Sequence, residues 1–166
     1  HPQTKLPKQI PSSPKEAKTI LVVDDESKLR QIIRVGLVAE GFVVLEASDA
    51  EEALRICKEH RDPIHLILIN VILPGMSGLE LAPRVVDLRP EIQVILMSGC
   101  PDERILLHAS LNPNVPFFHK PFTLDALVSK IREMLNVPDK PPSVGRLARS
   151  FPRCYPPFAG SFCSPR

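Results

Sequence analysis

Five polar residues at the ends of short apolar runs are the part of this sequence best suited to chemistry. The runs cover residues 20–23, 66–69, 94–97 and 117–119, and the polar residues that follow them are Asp24, Asp25, Asn70, Ser98 and Lys120. Clustered carboxylates bind a hard divalent cation such as Mg²⁺, and a hydroxyl and an ammonium group bind phosphate oxygens. The sequence therefore predicts a metal and phosphate pocket if these runs end at one edge of a sheet.

The apolar runs belong to a pattern in which strand and helix alternate five times. The spacing predicts strands at 19–23, 42–46, 65–69, 92–97 and 115–118, and helices at 26–39, 49–60, 79–88, 101–110 and from 124 onward. Ser48 or Asp49 is expected to cap the second helix, and Thr123 the last. In the first helix, the spacing of Leu29, Ile32, Ile33 and Leu37 predicts a single buried face.

Five strand-helix units with short connections predict an α/β fold with helices on both faces of a parallel sheet. We expect the flavodoxin-like, doubly wound (βα)5 class, with five strands in the order 2-1-3-4-5. Ligands of such open sheets bind outside the carboxyl ends of the strands. All five polar residues named above follow or end strands on that edge.

Proline and charge divide the 166 residues into three segments. Residues 1–18 contain four prolines and carry a net charge of +3, whereas residues 137–166 contain seven prolines and carry +4. Since the whole chain carries +2, residues 19–136 carry −5. We therefore predict a flexible Pro-rich linker at 1–18, one domain at 19–136 and a poorly ordered basic tail at 137–166. The acidic domain argues against nucleic acid as a partner.

Other classes of protein are disfavoured by composition. The sequence has no apolar run of about 18 residues and no signal-like N-terminus, so we expect no membrane association and a cytoplasmic location. The four cysteines form no CxxC pair, which favours reduced thiols over a zinc site or a disulfide framework.

Residues 19–136 resemble the receiver domain of two-component response regulators. The matching features are Asp24-Asp25, the LPGMSG loop at 73–78, Ser98 and Lys120-Pro121, in that order and at strand ends. A second set of stretches is similar to the receivers of hybrid sensor histidine kinases: RP at 89–90, MSG at 97–99, LNPN at 111–114 and KPFT at 120–123.

The resemblance implies a role for each pocket residue. Asp24, Asp25 and the backbone carbonyl of Ile72 would bind Mg²⁺, with residue 70 as a further ligand. Ser98 would be the switch hydroxyl and Lys120 the counter-cation of a phosphoryl group. Phe117 would be the aromatic switch residue, although plain core packing explains it equally well. The peptide bond between Lys120 and Pro121 is expected to be cis.

The resemblance also implies partners. A histidine kinase or a phosphotransfer protein would supply the phosphoryl group. A downstream protein would bind the face formed by the fourth helix, the fifth strand and the fifth helix. The expected activity is signalling by protein binding, not catalysis.

Asn70 departs from the family pattern, which has the phosphoacceptor aspartate at this position. A side-chain amide has no anionic oxygen and little basicity, so phosphorylation at residue 70 is expected to fail. Loss of one negative charge should also weaken Mg²⁺ binding. Lys120 is expected to keep the amide oxygen of residue 70 as a hydrogen-bond partner but to lose its ion pair. Asn70 is compatible with a degenerate receiver and with an engineered Asp-to-Asn form of an active receiver.

A flavodoxin-like small enzyme, or a nucleotide-binding or flavin-binding domain, is the alternative interpretation. It would use the same strand ends. The sequence offers it no GxGxxG motif after the first strand, no Walker lysine motif, one tyrosine and no tryptophan.

Overall fold

The computed structural model describes residues 17–99 and 103–138, and within these ranges strands and helices alternate. The elements are β1 (Thr19–Val23), α1 (Ser27–Ala39), β2 (Val43–Ala47), α2 (Ala50–Glu59), β3 (Leu66–Asn70), α3 (Gly78–Leu88), β4 (Gln93–Ser98), α4 (Glu103–Leu111), β5 (Phe117–His119) and α5 (Leu124–Leu135).

All five strands belong to one parallel sheet with the order β2-β1-β3-β4-β5. The predicted fold class and strand order are therefore confirmed. Val23 at the end of β1 is in register with Ile69, Asn70 with Met97, and Ser98 with His119. The polar residues that end or follow these strands consequently lie along the same edge of the sheet.

Helices cover both faces of the sheet and create two separate cores. Alternate residues of β1 and β3 enter opposite cores, because successive strand side chains point to opposite faces. One core contains Leu21 and Ile67 with side chains of α2, α3 and α4, and the other contains Ile20 and Leu66 with side chains of α1 and α5. Because every residue of β1 and β3 is buried, these two strands form the rigid centre that carries the site.

The predicted buried face of α1 is wrong at one position. Ile33 and Leu37 are buried and Leu29 packs against them, whereas Ile32 is 60% exposed. Adjacent helical residues differ in direction by about 100°, so the stripe through residues 29, 33 and 37 faces the sheet and turns Ile32 away from it. Val35, which is 59% exposed, lies on the same outer side of α1 as Ile32.

Several predicted boundaries shift by one or two residues. Phe42 precedes β2 but is still buried, and Ser98 is the last residue of β4, not the first residue after it. β5 begins later than predicted because Val115 and Pro116 lie in a turn, where Val115 N donates to Asn112 O at 3.0 Å. Proline has no N–H for the sheet, which favours a strand start after residue 116.

Two predicted helix caps are confirmed. The Asp49 side chain accepts a hydrogen bond from Glu52 N at 2.8 Å, and the Thr123 hydroxyl accepts one from Ala126 N at 3.2 Å. Ser48, the other candidate, binds the Glu52 carboxylate through its own N–H at 2.8 Å. The predicted start of the fourth helix at Pro101 lies outside the described residues.

Arg132 near the end of α5 is a buried cation that sequence analysis did not single out. Its guanidinium lies 2.7 Å from Glu40 Oε2, donates to Pro138 O at 3.1 Å and stacks over Phe42 at 5.5 Å from the ring centroid. These contacts join the end of α5 to the end of α1. Lys18, Phe42 and Pro138 line one cavity there. Residues 17–18 and 137–138, the first and the last that the structure describes, therefore lie close together at the edge of the sheet where the strands begin.

The predictions for the linker and the tail fall almost wholly outside the described residues, which include only 17–18 and 137–138 of those segments. Cys100, Cys154 and Cys163 lie outside them as well. Cys57 is a buried free thiol, and burial raises its pKa. Among the described helices, none combines the length and the apolar character needed to cross a membrane.

Gly78 at the start of α3 packs against the end of β3, and its replacement is expected to disturb the site edge. A Cβ on Gly78 would lie 2.5 Å from Asn70 O and 2.8 Å from Val71 Cα. Because both are backbone atoms that cannot turn aside, Gly78→Ala should lower the free energy of unfolding by about 3 kcal/mol. Urea denaturation would measure this change.

Gly36 in α1 provides the control. The three atoms nearest a Cβ there are Cδ1, Cδ2 and Cγ of Leu124, which belong to one side chain that can change rotamer and not to backbone. Since alanine also favours the helix over glycine, Gly36→Ala should change the free energy of unfolding by less than about 1 kcal/mol. Equal destabilisation by both variants would contradict the close backbone packing at Gly78.

Candidate functional site

The carboxyl edge of the sheet brings the predicted pocket residues together. Lys120 Nζ lies 2.8 Å from Asp24 Oδ2, which joins residues that follow β5 and β1. Asn70 at the end of β3 donates from Nδ2 to Asp24 Oδ1 at 3.4 Å and to Asp25 Oδ1 at 3.3 Å. Ser98 ends β4 beside them, and its carbonyl accepts a hydrogen bond from Lys120 N at 2.8 Å. The structure therefore brings the five polar residues together at one edge of the sheet, and this cluster is the candidate pocket.

Asp24 is the most constrained member of the pocket because its side chain is fully buried. Besides Lys120, its carboxylate accepts a hydrogen bond from Glu26 N at 2.9 Å. Its backbone carbonyl accepts one from Arg30 Nη1 at 2.6 Å, and its N–H donates to Ala47 O at 3.2 Å. A buried carboxylate is stable only when it is paired and hydrogen-bonded, and the contacts with Lys120 and with Glu26 N meet that requirement, while the other two fix the backbone of Asp24.

Lys120 has a different partner from the one that the sequence predicts. The expected partner is the Asn70 amide oxygen, but the ammonium group forms its ion pair with Asp24. The Lys120 side chain is 18% exposed, so both charges lie in a region of low polarity. A neutral amide compensates a buried ammonium less well than a carboxylate does, and Lys120 therefore pairs with Asp24 and not with Asn70.

Arg30 is a site residue that sequence analysis missed. Besides the carbonyl of Asp24, it contacts Glu46 near the end of β2, with Nε 3.3 Å from Oε1. Arg34 Nε lies 3.4 Å from Oε2 of the same carboxylate. Arg30 and Arg34 are four residues apart and thus share one side of α1. That spacing, together with an acidic residue at the end of the second predicted strand, is the signal that could have identified it.

The loop between β3 and α3 places the Ile72 carbonyl at the pocket. Ile72 O accepts a hydrogen bond from Asn70 Nδ2 at 2.9 Å. Gly75 in this loop has a φ of 80°, which glycine adopts without strain, and Ser77 forms a capping box with Glu80 at the start of α3. The sequence-predicted ligand atoms of Asp24, Asp25 and Ile72 therefore surround one point.

As arranged, the residues at that point do not fit a divalent cation. Mg²⁺ requires oxygen ligands, but the group that faces the two carboxylates and the Ile72 carbonyl is the Asn70 NH₂, a hydrogen-bond donor. Within residues 17–99 and 103–138, no three His, Cys, Asp or Glu side chains come together in a group able to hold a metal ion. A cation at this point would require the amide to turn.

The predicted switch residues Ser98 and Phe117 lie on the neighbouring strands β4 and β5. Ser98 is fully buried at the end of β4, and Phe117 is partly buried and packs against the core that includes Ile105 of α4. Phe117 is in register with Leu96, two residues before Ser98. The switch roles themselves stay predictions. The predicted cis bond between Lys120 and Pro121 is confirmed.

Comparisons with known proteins agree with this geometry. The family model described as "Response regulator receiver domain" matches residues 20–132. Sensor kinase CckA of Brucella abortus is 30% identical over 121 residues, which cover 73% of this chain and 13% of that protein. The phosphate regulon transcriptional regulatory protein PhoB of Pseudomonas aeruginosa is 32% identical over 120 residues, covering 71% of this chain and 52% of PhoB. The chain thus spans about half or less of these relatives.

Solved structures give the same result. A CheY-like receiver domain protein from Methanospirillum hungatei is 30% identical, with a TM-score of 0.66 over 72% of this chain and 94% of that chain. The receiver domain of the hybrid histidine kinase CckA is 32% identical, with a TM-score of 0.60 over 70% and 98% of the two chains. Receiver domains are signalling modules that interact with histidine kinases or phosphotransfer proteins and generally bind Mg²⁺ at an acidic pocket. This chain belongs to the response regulator receiver family of two-component systems.

Proposed function

We propose that this chain is a receiver module that signals by protein binding without phosphorylation at residue 70. The observation that carries the proposal is the amide of Asn70 at the end of β3, at the centre of a pocket that otherwise contains the carboxylates and the lysine of a receiver. The proposal goes beyond family membership, because phosphoryl transfer to this position requires an aspartate.

The chemistry of the amide supports this proposal. An acyl phosphate forms when an anionic carboxylate oxygen attacks phosphorus and the bond from phosphorus to the donor breaks, which releases the imidazole of a phosphohistidine or the acetate of acetyl phosphate. The nitrogen lone pair of an amide is delocalised into its carbonyl, so neither atom of the Asn70 amide is an effective nucleophile at neutral pH. An Asp-to-Asn exchange introduced into an active receiver has the same consequence, and the genomic codon for residue 70 distinguishes the two origins.

Without phosphorylation, a receiver can either hold one conformation or change conformation when a partner binds one state more tightly. We infer that the upstream partner is a histidine kinase or a phosphotransfer protein. The proposed downstream surface comprises α4, β5 and α5. On α4 it exposes three large apolar side chains to solvent by 59 to 69%, namely Leu106, Leu107 and Leu111. β5 is an edge strand of the sheet.

The remaining parts of the proposal concern activity, metal and location. We propose that the domain has no enzymatic activity, binds Mg²⁺ more weakly than an aspartate form would, and works in the cytoplasm without nucleic acid or membrane. The net charge of −5 over residues 19–136 is unfavourable for contact with a phosphate backbone. A flavin or nucleotide enzyme would need a different use of Lys120, whose ammonium group is committed to Asp24.

Phosphoryl uptake gives the first test. The native chain, incubated with Mg²⁺ and acetyl phosphate or a phosphohistidine donor, should gain no phosphoryl group by intact-mass measurement. Asn70→Asp should gain one, because it restores the nucleophile beside Asp24, Asp25 and Lys120. Beryllofluoride should likewise change the NMR spectrum of the aspartate form only.

Asn112→Asp is a matched control, since it introduces the same carboxylate at an exposed position on the α4–β5 loop. It should gain no phosphoryl group under the same conditions. Labelling of the native chain at residue 70 would refute the proposal. Failure of Asn70→Asp to respond to either reagent would show that more than residue 70 has departed from an active receiver.

The proposed downstream surface gives a second test. Leu107→Glu and Leu111→Glu should leave the free energy of unfolding unchanged within about 0.5 kcal/mol, because both side chains are exposed. The same variants should lose capture of the downstream protein, measured by cross-linking and mass spectrometry. Ile32→Glu, equally exposed but on α1, is the control that should retain capture. Loss of capture by the α1 variant alone would move the binding surface to α1.

A further inference from the structure

We propose that the side-chain amide of Asn70 takes the place of the divalent cation and holds the pocket together by hydrogen bonds. The proposal rests on the proposed function in one respect, namely that residue 70 is not a phosphoacceptor. It adds that the pocket is built to be complete without metal, so that the metal dependence of a receiver is lost along with its phosphorylation.

The geometry around the amide nitrogen supports the replacement. Nδ2 of Asn70 lies 2.9 Å from Ile72 O, 3.3 Å from Asp25 Oδ1 and 3.4 Å from Asp24 Oδ1. These three oxygens are the ones that the receiver pattern assigns to the metal. The NH₂ group carries partial positive charge on two hydrogens, and it is directed at all three acceptors. A donor thus occupies the position where the oxygens would otherwise require a cation.

The balance of charge in the pocket supports the same conclusion. The Asp24 carboxylate is neutralised by Lys120 at 2.8 Å, and the amide connects the Asp25 carboxylate to the buried part of the pocket. With aspartate at residue 70, three carboxylates would face one ammonium group, and their mutual repulsion would require a cation. With Asn70, two carboxylates face one ammonium and one NH₂ group, so a cation is no longer required to offset the repulsion.

Binding of a cation would therefore compete with contacts already present. To offer its oxygen, the Asn70 amide would have to turn by about half a revolution and withdraw its donors from Asp24, Asp25 and Ile72. Asn70 as a whole is only 7% exposed, so the displaced NH₂ group would need new acceptors inside the protein. If the amide oxygen already faced the cation and the amide were only a weaker ligand than a carboxylate, no such rearrangement would be needed.

The two descriptions of Asn70 predict opposite effects of Asn70→Ala. If the amide replaces the cation, its removal takes this donor from Ile72 O, Asp25 Oδ1 and Asp24 Oδ1, of which Asp24 Oδ1 still accepts from Glu26 N. Mg²⁺ should then stabilise the alanine variant more than the native chain. If the amide is only a weak ligand, its removal should reduce the response to Mg²⁺ below that of the native chain. Alanine is small enough to leave the end of β3 undisturbed.

The experiment is a thermal unfolding series of the native chain, Asn70→Ala and Asn70→Asp, with and without Mg²⁺ at constant ionic strength and with no phosphodonor. The expected rise in Tm on adding Mg²⁺ is about 4 °C or more for the aspartate form, about 2 °C for the alanine form and below about 1 °C for the native chain. In the absence of Mg²⁺, the native chain should have the highest Tm of the three.

Asn112→Asp should respond to Mg²⁺ as the native chain does, which controls for the added carboxylate. Protection of the Asn70 Nδ2 protons from solvent exchange, unchanged by Mg²⁺ in NMR spectra, would support the proposal without any substitution. A native chain that Mg²⁺ stabilises more than Asn70→Ala would overturn it. That result would leave the proposed function intact, since phosphoryl uptake with a donor tests that function separately.

Discussion

The buried carboxylate of Asp24 is the constraint on which the rest of the site depends. Its charge lies at the end of the central strand β1, where water cannot solvate it, so partners must come from several elements. Lys120 supplies the opposite charge, Glu26 and Asn70 supply N–H groups, and the sequence separations to Lys120 and Asn70 are 96 and 46 residues. Only a sheet that brings β1, β3 and β5 to one edge satisfies all of them, so fold and pocket stabilise each other.

The same constraint bears on the proposal that residue 70 is not phosphorylated, because the contacts of Asp24 do not depend on a phosphoryl group. In a phosphorylated receiver the energy for switching comes from a new covalent group, whereas under this proposal it would come from the differential affinity of a partner for two conformations. A pocket closed by the Asn70 amide adds no variable charge of its own. Signal strength would then follow partner concentration, not the supply of phosphoryl groups.

Much of the fold could be predicted because burial leaves a clear pattern in short strands. The apolar runs before Asp24 and Asn70 gave the central strands, and right-handed crossovers gave the order of the sheet. Sequence analysis did not predict that Ile32 is exposed or that β5 begins after Pro116. A shift of one or two residues decides each of these features, and the apolar pattern does not locate an element that finely. The ion pair between Lys120 and Asp24 was missed for another reason. The sequence shows which charged residues are present, but not which of them become buried and therefore need a charged partner.

The contacts of Arg132 with Glu40, Phe42 and Pro138 have a consequence for the architecture of a longer polypeptide. Residues 17–18 and 137–138 meet at the amino edge of the sheet, whereas the pocket opens at the carboxyl edge. The two ends of the domain are therefore close together, and they lie at the opposite edge of the sheet from the candidate site. A partner protein can contact the candidate site without contacting residues 17–18 or 137–138, so a longer polypeptide can be joined at these residues while the site faces away from it.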